Sequence, residues 1–232
     1  MSKLYGIGVG PGDPELMTLK AHRLISGAKV VAYPAPDTGD SFARRIAAAS
    51  IPKDAEEIPI RIPMRTERFP AQEVYDAAAA TITDRLTAGL DVVVLCEGDP
   101  FFYGSFMYLF ARLAPKFQVE IIPGVPAITA CAAAASRPLS ARNETVTILP
   151  GPLPDTELEA RLATGGAFAM MKVGRHLPRL RDAIIRAGLL DRASFVSHAS
   201  LPEQRVLPLN AAPDAAPYFS MILISGADPY AS

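Results

Sequence analysis

Two loops rich in glycine, proline and aspartate carry the residue types that suit close contact with a small ligand. The first, Gly6–Asp13, continues an apolar run, and the second, Glu97–Ser105, follows another. Glycines let a backbone approach a ligand closely, and carboxylates accept hydrogen bonds from amines or hydroxyls. Loops at the carboxyl ends of parallel strands form the crevice where α/β sheets bind ligands. Turn chemistry alone is the alternative interpretation of the first loop, and a capped turn with core aromatics is that of the second.

Neither loop matches a nucleotide phosphate motif. In the GxGxxG pattern the third glycine falls on Pro11 when counted from Gly6, and on Asp13 when counted from Gly8. The GxxxxGK[ST] phosphate loop is absent from the sequence. Asp13 can cap a helix that begins at Pro14 or Glu15, and a carboxylate there disfavours a phosphate at the same helix end. A nucleotide-phosphate enzyme is therefore disfavoured.

The elements that position these loops alternate between apolar runs and helical patterns. Because the runs lack strict alternation, they predict strands covered on both faces, in a mostly parallel five-stranded sheet. The clearest helix is Ala71–Ala88, with apolar residues at every fourth position and Gly89 after it. The predicted strands are Leu4–Val9, Lys29–Tyr33, Glu57–Ile60, Asp91–Cys96 and Phe117–Ile122.

A second α/β domain is predicted after Pro123–Pro126, where two prolines flank a glycine and indicate a hinge. The predicted domains are 1–122 and 123–232. Three late apolar runs with short connections favour a mixed or antiparallel second sheet. The predicted elements of this half are helices at Ala127–Ser136, Asp155–Ala163 and Leu177–Ala187, and strands at Thr145–Leu149, Phe168–Val173, Ser194–Ser197, Arg205–Leu209 and Tyr218–Ser225.

Composition excludes several classes of protein. The 232 residues carry a net charge of −1, which disfavours non-specific nucleic-acid binding, and 50% of them are hydrophobic, which disfavours disorder. No apolar run reaches the roughly 18 residues of a membrane span, and the first residues do not resemble a signal peptide, so we expect a cytoplasmic protein. Cys96 and Cys131 lie in apolar surroundings without CxxC spacing. They predict buried thiols and no metal site.

Four segments carry a resemblance to a known family: GVGPGDPELMTLKA, EGDPFFYGS, IIPGVPAITA and SLPEQRV. In this order and spacing the chain resembles, over essentially its whole length, the tetrapyrrole methylase superfamily. Its members are the S-adenosylmethionine-dependent methyltransferases of cobalamin and sirohaem synthesis. The phrases CEGDPFFYGSFMYL, RPLSARNE and MKVGRHLP are most similar to the members that methylate C-20 of precorrin-2.

The resemblance implies two α/β domains with five-stranded sheets, S-adenosylmethionine in a cleft between them, and a homodimer. Lys172-Val173-Gly174 stands where several relatives carry Tyr-Met-Gly, so a backbone contact is expected there rather than a methionine side chain. The residues that the resemblance assigns to the cofactor are Pro11, Gly98, Asp99, Pro100, Tyr103, Thr129, Ala130, Val173, Ala199, Ser220, Met221 and Ile222.

Methyl transfer from a sulfonium is an in-line displacement that needs no covalent nucleophile, and the sequence contains no GxSxG elbow. Its acceleration comes mainly from positioning. The acetate and propionate groups of a precorrin require local cations, for which arginine forks are suited. The candidates are Arg61, Arg65, Arg68, Arg142 and Arg175. Asp13 is the candidate base for the proton on the meso carbon, with helix capping or a water as alternatives.

Several other functions remain open at this point. Another tetrapyrrole methylase is the nearest alternative, such as uroporphyrinogen-III C-methyltransferase or the cobalt-factor II C(20)-methyltransferase. The near-zero net charge disfavours a related RNA ribose methylase. A sensor that binds S-adenosylmethionine without catalysis belongs to a different class, and it would bind the cofactor but turn over no tetrapyrrole.

Overall fold

The computed structural model describes residues 2–62 and 69–226. The chain forms two compact units, the first ending at Pro126 and the second beginning at Ala127. The sequence predicts the boundary after Ile122, four residues earlier. Pro123–Pro126 belongs to the N-terminal unit, where the N–H of Gly124 donates to Asp99 Oδ2 at 3.0 Å.

The N-terminal unit contains a five-stranded sheet in which all paired strands are parallel. Its strand order is β3-β2-β4-β1-β5, which confirms the parallel sheet predicted from strand–helix alternation. Every residue of β4 is buried, as expected for a run of Val, Leu and Cys that is covered on both faces. The strands are β1 (Lys3–Gly8), β2 (Val30–Pro36), β3 (Glu56–Ile62), β4 (Val92–Cys96) and β5 (Gln118–Ile122).

Four α-helices connect these strands in the described residues. The long α3 buries a stripe that includes Ala78, Ile82 and Leu86, and Gly89 follows it with φ +84°. This confirms the predicted helix and its glycine stop. The helices are α1 (Leu19–Ser26), α2 (Phe42–Ala47), α3 (Phe69–Thr87) and α4 (Phe106–Leu113).

The first helix begins later than the sequence predicts. Pro14–Leu16 forms a single 3₁₀ turn, and α1 begins only at Leu19. The physical reason is a second cap, because Thr18 Oγ1 accepts the N–H of Ala21 at 3.1 Å and starts the α-helix there.

The C-terminal unit contains a mixed five-stranded sheet, as predicted, and its strand order is β6-β7-β10-β8-β9. β6 is parallel to β7, while β10 runs antiparallel to both β7 and β8. Hence β6, β7 and β8 run in one direction. Their carboxyl ends lie at the same end of the sheet as the amino end of β10. The strands are β6 (Val146–Pro150), β7 (Ala167–Met171), β8 (Ala193–Ser197), β9 (Arg205–Pro208) and β10 (Ser220–Ile224).

In the described part of this unit, three α-helices pack with the sheet, namely α5 (Ala127–Ala134), α6 (Asp155–Leu162) and α7 (Leu177–Arg186). α7 buries Leu177, Leu180 and Ile184 in a core that also contains Phe168 and Phe195. Within residues 2–62 and 69–226, no helix has the length and hydropathy of a bilayer span. The same ranges contain no group of three His, Cys, Asp or Glu side chains arranged to hold a metal ion.

Candidate functional site

Three loops of the N-terminal unit begin side by side where β1, β4 and β5 end. Gly8 is in register with Cys96, and Ile7 is in register with Ile122. Beyond the strands, Gly10 and Gly98 exchange two backbone hydrogen bonds of 2.8 and 3.3 Å. The fold therefore brings together both loops that the sequence singles out, and it adds the Pro123–Pro126 segment to them.

Three glycines pack backbone against backbone at this place, and we call Gly8, Gly98 and Gly124 the glycine junction. A Cβ atom on Gly8 would lie 2.5 Å from the Gly98 carbonyl oxygen, and one on Gly124 would lie 2.0 Å from the same oxygen. Gly98 itself has φ +62°. Internal packing thus requires glycine at positions 8 and 124, whether or not a ligand binds here.

Gly6, in the same motif, has a different reason to be glycine. A Cβ at this position would lie 2.4 Å from Cε1 of Phe106, whose ring is almost fully buried in the core under α4. The glycine pattern of the first loop is therefore partly a core-packing pattern.

Asp99 ties two of the loops together. Its Oδ1 accepts the N–H of Phe101 at 2.9 Å, and its Oδ2 accepts the N–H of Gly124 at 3.0 Å. Hydrogen bonds to a carboxylate are stronger than neutral ones. The first of these orders the loop after β4 internally, and the second holds that loop against the loop after β5. Each oxygen keeps a further lone pair, through which a ligand amine could still be bound.

The remaining predicted cofactor residues of the N-terminal unit flank the junction in sequence. Pro100 is buried, and Pro11 is half-buried directly after Gly10, whose φ is +85°. Tyr103 has φ +57°, a left-handed conformation that costs a non-glycine residue roughly 1–2 kcal/mol. The residue as a whole is 44% exposed, and its ring meets that of Phe102 edge-on, with 5.3 Å between the ring centroids. An exposed aromatic ring in a strained loop is consistent with the predicted ligand contact.

The carboxylate of Asp13 performs the capping role that the sequence left open. Its Oδ1 accepts the N–H of Glu15 at 2.8 Å, at the start of the 3₁₀ turn. The role of Asp13 as a base stays a prediction.

Glu97 is a further acidic residue beside the junction, and the sequence analysis does not select it as a site residue. Burial raises the pKa of its carboxyl, and hydrogen bonds from the backbone of Glu97 itself and of Ala43 offset part of this. Burial, aided by the charge of Glu97, also raises the pKa of the Cys96 thiol to about 12. Burial raises the pKa of Cys131 to about 12 as well. Both thiols are free and buried, as the sequence predicts, and their raised pKa values keep them protonated at neutral pH.

In the C-terminal unit, the predicted cofactor residues gather at one end of the sheet. Val173 follows β7, Ala199 follows β8, and Ser220 and Met221 begin β10. The side chains of Val173 and Ile222 are fully buried, and Ser220 Oγ donates to the carbonyl oxygen of Pro217 at 2.7 Å. A ligand at this end would therefore meet main-chain atoms more than these side chains.

The predicted pair on α5 divides between surface and interior. Thr129 is exposed and Ala130 is buried, and α5 packs against β8 and β10. Whether either contacts a cofactor stays a prediction.

Three non-glycine residues with left-handed backbones stand at the same end of this sheet, and we call Lys172, His198 and Ser200 the strained residues. Their φ angles are +56°, +52° and +65°, and Lys172 and His198 directly follow β7 and β8. Each costs roughly 1–2 kcal/mol, and such strain concentrates at functional sites. The sequence carries no signal for them, because lysine, histidine and serine do not indicate a left-handed turn as glycine does.

The structure separates the two predicted substrate arginines of this unit. Arg175 lies in the loop after β7, whereas Arg142 precedes β6 and so lies at the opposite end of the strands. Both are exposed, and neither forms an ion pair with any carboxylate among the described residues. Arg61 Nη1 donates to the carbonyl oxygens of Pro36 and Asp37 at 3.2 and 3.4 Å.

Two further predicted substrate arginines, Arg65 and Arg68, lie outside the described residues.

Comparison with known proteins finds a matching family and relatives that align over nearly the whole chain. The model of the Tetrapyrrole (Corrin/Porphyrin) Methylases matches residues 3–213. A precorrin-2 C(20)-methyltransferase of Sinorhizobium sp is 39% identical, with 97% of this chain and 96% of that protein aligned. A cobalt-precorrin-2 C(20)-methyltransferase of Salmonella typhimurium is 30% identical, with 96% of each chain aligned.

Among solved structures, that of a cobalt precorrin-4 methyltransferase superposes with a TM-score of 0.74 and 26% identity. It covers 96% of this chain and 94% of its own. The superposition shows that this structure shares the fold of that methyltransferase. The family match and the relatives that align over nearly the full length point to the same family. The chain therefore belongs to the tetrapyrrole (corrin/porphyrin) methylase family.

Proposed function

We propose that this protein transfers a methyl group from S-adenosylmethionine to the C-20 meso carbon of precorrin-2. The products would be precorrin-3A and S-adenosylhomocysteine, in a step of cobalamin biosynthesis. The observation that carries the proposal is the 39% identity, over almost the full length of both chains, to a precorrin-2 C(20)-methyltransferase. Family membership alone supports methylation of a tetrapyrrole.

Each unit, taken by itself, offers strand-end residues that suit one part of such a cofactor. In the N-terminal unit, Gly98, Asp99 and Pro100 would bind its methionine part, near Pro11 and Tyr103. In the C-terminal unit, small or apolar residues adjoin main-chain donors and acceptors, which suit a ribose and an adenine. These residues are Thr129, Ala130, Val173, Ala199, Ser220, Met221 and Ile222. S-adenosylmethionine supplies the electrophilic methyl group.

The chain's own contribution is positioning rather than covalent catalysis. Both cysteine thiols are buried and protonated, so neither is an available nucleophile. Holding the acceptor carbon in line with the methyl group can account for a large share of the rate, since effective molarities reach ~10⁵–10⁸ M. Asp13 or a water would accept the proton from the meso carbon.

Arginines would bind the carboxylates of the ring. Among the described candidates, Arg61, Arg142 and Arg175, the geometry favours Arg175, because it lies at the strand end that carries Val173 and Ala199. Arg65 and Arg68 stay candidates from the sequence. Arg142, at the opposite end of the same strands, is the less favoured candidate.

The test is product formation by the purified chain. With S-adenosylmethionine and precorrin-2 we expect S-adenosylhomocysteine, a released proton and a tetrapyrrole in which one methyl group replaces a hydrogen, with no turnover of uroporphyrinogen III. Binding of S-adenosylhomocysteine without turnover of any tetrapyrrole would contradict the proposal and indicate a sensor.

A second candidate differs only in the ring that is methylated. The 30% identity to a cobalt-precorrin-2 C(20)-methyltransferase supports a ring that already contains cobalt. The higher identity to the precorrin-2 enzyme favours the metal-free ring. We expect a larger kcat/KM for precorrin-2 than for cobalt-precorrin-2, and the reverse order would select the second candidate.

A homodimer in the cytoplasm completes the proposal. Light scattering of the purified chain is expected to give twice its monomer mass of 24.7 kDa. A monomer mass at micromolar concentration would contradict the dimer and leave the reaction untouched.

A further inference from the structure

We propose that Lys172 binds a carboxylate side chain of the tetrapyrrole and so helps to select the substrate. The inference rests on the proposed function. It starts from a backbone observation: Lys172 directly follows β7 with φ +56°, a conformation that favours glycine. The same loop contains Gly174, which also has a positive φ, of +34°. A glycine at position 172 would relieve the strain, so the presence of a lysine there points to a role for its side chain.

The loop after β6, which lies beside Lys172, constrains the backbone of this turn. The N–H of Gly151 donates to the carbonyl oxygen of Met171 at 2.7 Å, and a Cβ on Gly151 would lie 2.6 Å from the carbonyl oxygen of Lys172. The peptide group before Lys172 is thus hydrogen-bonded to the loop after β6, and the carbonyl group after it packs closely against Gly151. A lysine on a backbone held in this way starts from a defined position, which reduces the entropy lost when it binds a ligand.

The electrostatic surroundings favour an anion. Lys172 and Arg175 are both exposed and lie in one loop. Arg179, nearby on α7, donates to Asp155 and to the carbonyl oxygen of Gly151, so its charge is partly balanced. Burial lowers the pKa of His176, and the charges of Arg179 and Arg175 lower it further, which is the sign of a positive local potential. A ring rich in carboxylates fits this potential.

The position also ties Lys172 to the predicted cofactor residues. Val173 is its sequence neighbour, and Ala199 and Ser220 lie at the same end of the sheet. A lysine here would bind a substituent of the ring that receives the methyl group, whereas a lysine far from this end would affect only the surface charge.

The test compares Lys172→Met with Lys172→Gly and Lys172→Arg. Because hydrogen bonds between charged groups are among the strong ones, Lys172→Met is expected to raise the KM for precorrin-2 about tenfold, with the KM for S-adenosylmethionine changed by less than about twofold. It should also weaken the dependence of the precorrin-2 KM on salt. Lys172→Arg should restore most of the affinity.

Lys172→Gly separates the side chain from the backbone. We expect it to leave the melting temperature unchanged or higher, and to raise the KM for precorrin-2 as much as Lys172→Met does. Two controls are Lys53→Met, an exposed lysine of the N-terminal unit, and Ser136→Gly, which removes a left-handed serine (φ +51°) after α5. Neither should change either KM.

The inference is overturned if Lys172→Met and Lys172→Gly leave the KM for precorrin-2 unchanged, or if they raise both KM values equally. A wild-type protein that forms no product from precorrin-2 contradicts the proposed function itself, so the two failures are distinguishable.

Discussion

The two units differ in the residues that take left-handed backbone conformations in the loops after their strands. In the N-terminal unit, the left-handed positions Gly10 and Gly98 are glycines, and the closest approaches are between backbones. In the C-terminal unit, Lys172 and His198 take the left-handed positions directly after β7 and β8. The departures from this contrast are Tyr103 in the N-terminal unit and, in the C-terminal unit, the left-handed Gly174 and the close approach of Gly151 to the backbone of Lys172. In the N-terminal unit these loops mainly serve tight backbone packing. In the C-terminal unit they carry side chains on left-handed backbones, and this strain lowers the free energy of unfolding.

The contrast predicts its largest effect at the glycine junction. Gly124→Ala would place a Cβ 2.0 Å from the Gly98 carbonyl oxygen, and neither backbone can withdraw without breaking the Asp99 hydrogen bonds. We expect the free energy of unfolding of the N-terminal unit to fall by about 3 kcal/mol, as for severe overpacking. Urea denaturation measures the change.

The matched control for this variant is Gly89→Ala. Gly89 has φ +84° and open space around it, so an alanine there meets only the left-handed penalty, about 1 kcal/mol. Equal losses for the two variants would show that the junction is not a steric contact.

A second prediction concerns the link between the loops. Asp99→Asn keeps one acceptor oxygen but turns an amide NH₂ toward a backbone N–H. One of the two hydrogen bonds of Asp99 is then lost, and we expect a cost of about 1–3 kcal/mol. Exposed Asp40 supplies the control, and Asp40→Asn should change the denaturation midpoint little. If Asp99→Asn lowers the free energy of unfolding no more than Asp40→Asn does, the Asp99 hydrogen bonds do not stabilise the packing of these loops.

A reciprocal pair of variants sharpens the contrast further. Gly98→Ala should lower the free energy of unfolding by about 1 kcal/mol, because it places a side chain on a left-handed backbone. His198→Gly should raise it by up to about 1 kcal/mol, since relief of strain exceeds the entropy that glycine adds to the unfolded chain. Denaturant titration of both variants measures the signs. The same sign for both would break the comparison between the units.

The smallest effect is a pH dependence at Glu97. Burial raises its pKa in the folded state, so the wild type loses stability as the pH rises from the ordinary carboxyl pKa toward the raised one. Glutamine cannot ionise and escapes this loss. The stability of Glu97→Gln relative to the wild type should therefore be greater at pH 8 than at pH 4, as measured by denaturation at both values. A difference that does not vary with pH would mean that the carboxyl is not desolvated.

Much of the fold was predictable because its signals are local. The buried run of β4, the apolar stripe of α3 and the stop at Gly89 each follow from a few neighbouring residues. The place of β10 between β7 and β8 was not predictable, since three consecutive apolar runs do not state which strands pair. The delayed start of α1 depends on Thr18, a cap that competes with Asp13 a few residues away.

The site was predictable in its loops and less so in its side chains. The glycine-aspartate phrases indicated which strand ends matter, but the steric reason for Gly8 and Gly124 depends on contacts distant in sequence. Arg142 and Arg175 carry the same charge in the sequence, and only the strand direction shows that they lie at opposite ends. The left-handed backbone of Lys172 has no sequence signal at all.

The most direct test of the proposed reaction is the position of the transferred methyl group. The protein is incubated with precorrin-2 and S-adenosylmethionine labelled with ¹³C in the methyl group, and the product is examined by NMR. The account predicts one labelled methyl on C-20. A label on any other ring carbon, or S-adenosylhomocysteine formed without a labelled ring, would contradict it.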